Sequence, residues 1–164
     1  AEEYARQATG IEAGEKTLIL PVFLKYLNMA ADKMEEGLKH YREAALTSPP
    51  AKRQEAVREV IVAEQMTRMM RSNYAILEFE DLRLKLGTEK ESIRRSEILS
   101  KMENILQDEI ARTELTLLAV TRDSRLGFQF EQDYVFTPYS LREKLALLNE
   151  TLNKLLPEGG RRKG

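Results

Sequence analysis

A di-iron carboxylate centre in a helical protein takes a glutamate from each of two helices and a Glu-x-x-His pair from each of the other two. Here the only histidine is His40, and three positions before it stands Gly37 rather than a carboxylate. No di-metal site is expected, and His40 reads as a solvated or capping side chain on a helix. The chain has no cysteine, which removes thiolate nucleophiles, zinc-thiolate sites and disulfides together. Carboxylates gather at Glu78, Glu80 and Asp81, the kind of group that glycosidases use as paired acids. On a helix, however, residues 78 and 81 share a face while 80 points elsewhere, and Arg83 and Lys85 lie close enough to neutralise them. An ion-paired surface is the expectation, with no catalytic residue, metal or cofactor assigned.

Basic pairs at Lys52 with Arg53 and at Arg94 with Arg95 are balanced by nearby glutamates, so neither makes a nucleic-acid patch. Met66, Met69 and Met70 could line an adaptable groove, but at helical spacing they read as core.

The segment from Arg122 to Tyr139, RDSRLGFQFEQDYVFTPY, differs in kind. Phe128, Phe130, Tyr134, Phe136 and Tyr139 supply five of the eleven aromatic residues of the chain. Such density outside a helix has two explanations. Gly127 permits a turn, after which the rings plug the end or side of a bundle. Alternatively, the strip docks a neighbouring domain or stacks on a glycan, with Arg122, Asp123, Arg125 and Asp133 as the polar groups that fix orientation.

These residues must be held by helices. The 164 residues fit one domain, with 42% hydrophobic and 32% charged residues. Basic and acidic groups nearly cancel, leaving a net charge of −1, so no overall field steers the chain to nucleic acid or an anionic membrane. Thr17 to Leu24 is the most apolar run and is too short to span a bilayer. The amino terminus, Ala1-Glu2-Glu3-Tyr4, lacks the order of a signal peptide, as expected of a cytosolic, processed or excised chain.

Junctions are marked by proline, glycine and capping residues. Ser48 is a candidate N-cap before Pro49 and Pro50. Gly87 offers a left-handed helix end, followed by Thr88 and Glu91 as a capping box. Thr137 and Pro138 open the last helix, which Pro157, Gly159 and Gly160 stop, leaving residues 161–164 as a basic tail. Residues 1–16 form a loop or a short helix.

The first helix is expected from about Pro21 to Ala45, burying Phe23, Leu24, Leu27, Met34, Leu38 and Tyr41. The second runs from Ala51 to Leu86 on Val57, Val60, Ile61, Met66, Met69, Met70, Tyr74 and Leu77. The third runs from Thr88 to Val120 on Ile98, Met102, Ile105, Leu106, Ile110, Leu117 and Val120. The last carries Leu141, Leu145, Leu148, Leu152 and Leu155 as a narrow seam. The fold class is all-α: an elongated antiparallel bundle of three to four long helices with an aromatic-rich loop before the last.

The stretch from Leu118 to Leu148, with Asp123-Ser124-Arg125-Leu126-Gly127-Phe128, Tyr134, Phe136, Thr137-Pro138 and Leu141-Arg142-Glu143-Lys144, resembles the carboxy-terminal helical region of large bacterial glycan-processing proteins. In those proteins the region follows a glycoside-hydrolase-like barrel. The resemblance extends upstream through Gly37, Ala44, Ala45, Val57, Val60 and Tyr74 to Arg83, covering about residues 30 to 156. It implies an accessory bundle of a secreted or periplasmic carbohydrate-active protein whose catalytic acids lie elsewhere, so no catalytic residue is carried over.

Two functions are expected to compete. One is a non-catalytic module that docks a catalytic neighbour or another protein through the aromatic segment. The other is a self-associating homo-oligomer, paired through the leucine seam or the methionine-rich face. Catalysis by the polar groups between Arg122 and Asp133 would need a partner and a pocket that the residues alone do not imply.

Overall fold

In a computed structural model, residues 16–127 and 136–160 are described, with side chains over 19–127 and 136–155. All four long elements are helices that pack on one another: α1 (Lys16–Thr47), α2 (Arg53–Thr88), α3 (Ser92–Arg122) and α4 (Pro138–Gly160). A 3-10 turn, Pro50–Lys52, leads into α2, and another, Ser124–Gly127, follows α3. Among the described residues there is no strand, and no helix is long and apolar enough to cross a membrane. The main contacts follow chain order, α1 on α2, α2 on α3 and α3 on α4.

α1 begins five residues before the expected boundary, so Pro21 lies inside it. Proline there removes a backbone donor and crowds the carbonyl four residues earlier. The helix continues through it because Leu20, Leu24, Leu27, Ala31, Met34 and Leu38, spaced four and three residues apart, form one buried or half-buried seam facing α2. Phe23 and Tyr41, expected inside, are exposed.

Polar clamps add to that seam. Arg71 of α2 donates from Nε to Glu35 at 2.6 Å and from Nη1 to Asn28 at 2.7 Å, and also binds Asp32. Asn28, Asp32 and Glu35 lie on one face of α1 at spacings of four and three. Arg71 holds the Glu35 carboxyl below its ordinary pKa, chiefly by this hydrogen bond. Arg42 reaches Glu64 at 2.8 Å.

Three junctions use different chemistry from that expected. Ser48 closes α1 rather than opening α2: its hydroxyl donates to the Ala44 carbonyl at 2.8 Å. Gly87 lies within α2, whose last residue is Thr88. The Thr88/Glu91 box does not form, and Glu89 Oε1 instead accepts from the backbone N–H groups of Lys90 and Glu91 at 2.8 and 2.9 Å. Arg95 Nη1 then ties the turn by donating to the carbonyls of Leu86 at 2.7 Å and Glu89 at 3.0 Å. α4 continues through Pro157 to Gly160, past its expected stop.

The start of α4 follows the sequence closely. Thr137 Oγ1 accepts from Ser140 N–H at 3.0 Å, while Ser140 Oγ accepts from Thr137 N–H at 3.0 Å, a reciprocal cap. The leucine seam from Leu141 to Leu155 is buried or half-buried, and α4 packs on α3. On α2, Val57 and Met66 are exposed while Gln65 and Thr67 are buried, so the inward face is rotated from the one that the apolar residues alone suggested.

Candidate functional site

Of the carboxylates suggested by sequence, Glu80 and Asp81 are ion-paired as expected, but Glu80 is buried rather than at the surface. Arg83 holds it with a fork, Nε to Oε2 at 2.7 Å and Nη2 to Oε1 at 2.9 Å. Lys85 pairs with Asp81 at 2.5 Å. Glu78 hydrogen-bonds Tyr74, whose phenol is pushed up to about 12 by burial and by that carboxylate. His40 is exposed, 3.5 Å from Glu43. Among the described residues no three His, Asp or Glu side chains converge as metal ligands.

A groove of about 540 Å³ opens where the first turns of α2 meet the last turns of α3. Its walls carry Arg58, Ile61, Glu64 and Arg68 from α2, and Leu115, Leu118 and Arg122 from α3, with Asp123 and Arg125 at the rim. Arg122, Asp123 and Arg125, three of the expected site residues, are thus brought together. Asp123 ends α3, its N–H bonded to the Ala119 carbonyl at 2.9 Å. Its carboxylate accepts from Arg125 Nε at 2.8 Å, Nη2 at 2.5 Å and the backbone N–H at 3.1 Å. Those bonds, with Arg58 nearby, lower the Asp123 pKa to about 2.

Four guanidinium groups therefore face two carboxylates already in use. Asp123 is held by Arg125, and Glu64 by Arg42 at 2.8 Å with Arg68 at 3.9 Å. Arg58 and Arg122 enter no ion pair among the described residues. Arg68 is half-buried, and burial lowers its pKa. Its Nε and Nη2 donate to Gln65 Oε1 at 3.1 and 3.0 Å, a neutral partner. Between the charges, Leu115 and Leu118 are each more than half exposed. The groove thus combines excess positive charge with open apolar surface, a combination suited to an anionic, partly apolar partner.

The aromatic segment begins beside this groove. Phe136 N–H donates to the Gly127 carbonyl at 3.2 Å, so the two described flanks of the segment meet. Gly127 is needed less for a turn than for close approach: a Cβ built there would lie 2.3 Å from the Phe136 carbonyl oxygen. Gly127→Ala is expected to cost about 1–3 kcal/mol, measured as a lower denaturation midpoint, because backbone rather than a flexible side chain obstructs the methyl.

Phe136 is half-buried and lines a 240 Å³ cavity with Gln65, Thr113, Thr116, Leu141 and Lys144. Tyr139 points outward at 70% exposure, and its hydroxyl bonds Glu143. The two described rings therefore divide between the two explanations, Phe136 partly inside and Tyr139 outside. Phe128, Phe130, Asp133 and Tyr134 lie outside the described residues.

Sequence periodicity missed Arg58 and Arg68, ordinary helix-surface arginines until α3 is laid beside them. It also missed Glu109, 3% exposed, which accepts from Arg112 Nε at 2.9 Å and Lys144 Nζ at 2.5 Å. A search against protein-family models, curated proteins and solved structures found no match for the chain.

Proposed function

We propose that this chain is a non-catalytic helical interaction module that docks a neighbouring domain or protein at the α2–α3 groove and through the segment from Arg122 to Tyr139. The observation that carries the reading is the placement of Arg58 and Arg122, neither in an ion pair among the described residues, beside open Leu115 and Leu118. A partner segment with carboxylates flanking apolar side chains would meet both features. The resemblance to the helical region of glycan-processing proteins makes a carbohydrate-active domain the first candidate to carry such a segment. The consecutive helices run antiparallel as an elongated bundle in this reading. It is supported by the pairing of late α1 with early α2, Arg42 to Glu64, and of earlier α1 with later α2, Asp32 to Arg71.

Backbone amide NMR during titration with a helical peptide patterned in leucine and glutamate tests the location. Shifts are expected over residues 57–64 and 115–125. Absence of shifts at saturating peptide, or shifts confined to other faces, would oppose the reading.

A further inference from the structure

α1 carries a second apolar face that the chain leaves open. From Leu18 to Ala31 the only charged residue is Lys25. Leu20, Leu24, Leu27 and Ala31 face α2, but Ile19, Val22, Phe23, Tyr26 and Met29 are between 42 and 61% exposed. Their spacing of three, one, three and three places them on one side of the helix, turned away from the α2 seam. A helix apolar on both sides is normally covered on both.

Among the described residues nothing covers it, as its exposure shows. The leucine seam of α4 is already taken up within the molecule. The stripe has the three-and-four spacing by which helix packs on helix. Its exposed surface is roughly 500 Å² per copy, so pairing two copies removes at most on the order of 1,000 Å² from water, the lower limit for a specific interface.

We propose that a second copy of this chain covers the stripe, α1 against α1, about a two-fold axis that crosses the stripe between Val22 and Tyr26, level with position 24. Such an interface is self-complementary. In the antiparallel register Ile19 meets Met29 of the second copy, Val22 meets Tyr26, and Phe23 meets Lys25. Each ammonium then faces a ring rather than its own like charge. An interface at this lower limit is expected to be weak, dissociating at roughly micromolar concentrations.

Sedimentation velocity of the full chain from low to high micromolar concentration tests it. A concentration-dependent dimer is expected. Tyr26→Glu should weaken it about tenfold or more, with the helical circular dichroism unchanged. Leu46→Glu, at a position 78% exposed but outside the stripe, should dimerise like the wild type. In this cysteine-free chain, an equimolar mixture of the Val22→Cys and Tyr26→Cys proteins should oxidise to a covalent dimer, and Leu46→Cys should not. A wild type that stays monomeric throughout would overturn the proposal, because the cover would then be a different protein. A dimer indifferent to Tyr26→Glu would overturn it equally.

Discussion

Replacing Arg112 and Lys144 together by methionine is expected to destabilise the fold by about 3–5 kcal/mol, the cost of leaving a buried charge without its partners. Glu109 sits on α3 with 3% of its surface exposed, one oxygen bonded to Arg112 and the other to Lys144. Lys144 comes from α4, so the carboxylate is also a tie between the last two helices. Removing both cations leaves the ion desolvated and uncompensated, whereas the methionines retain most of the side-chain packing. The triple variant that adds Glu109→Leu should recover most of the lost stability, because it removes the charge that needed compensation. Urea denaturation of the two variants checks both expectations. Equal instability of the triple variant would mean that packing, not charge, holds this junction.

Leu141→Ala is expected to cost a similar amount, about 3–5 kcal/mol, through lost burial and the cavity left behind. Leu141 is 2% exposed, in the first turn of α4 immediately after the Thr137–Ser140 cap. It lines the same cavity as Phe136, Thr113 and Thr116, so the hole opens where the aromatic segment rejoins the bundle. Leu147→Ala is the control: Leu147 is nearly two turns further along, exposed, and should change stability little. Comparable losses at the two positions would show that α4 does not pack through its leucine seam.

The seam containing Leu141 was legible before any coordinates, because its four-and-three spacing has a single physical meaning and Thr137-Pro138 states where it starts. Pro21 was misleading for an equally physical reason. A proline suits the first turn of a helix, but Leu20 packs against α2 and the preceding turn is retained despite the lost donor. Ser48 and Thr88 show how capping residues are ambiguous from sequence, since a serine between two helices can close one or open the other. Glu109 and Thr113 were invisible because periodicity weighs apolar residues, while their burial depends on partners from other turns and another helix. Thr113 satisfies its hydroxyl locally, donating to the Glu109 carbonyl at 2.7 Å.

The candidate site was half legible. Arg122, Asp123 and Arg125 drew notice because they border the aromatic run, and they meet at one rim of the groove. Arg58 and Arg68 come from a helix some sixty residues earlier in the chain, and no local pattern links them to Arg122. Gly127 was noticed for its freedom of backbone, yet its position is explained by the carbonyl of Phe136 pressed against it.

The affinity of the leucine-glutamate peptide for the wild type and for Arg58→Glu/Arg122→Glu, compared at low and moderate salt, tests the docking groove most directly. Both arginines are exposed, so the double variant should keep its fold and helical circular dichroism. The account predicts that it loses about tenfold or more in affinity, and that wild-type binding weakens with salt while the residual binding of the variant does not. Equal affinity of the two proteins at low salt would contradict it.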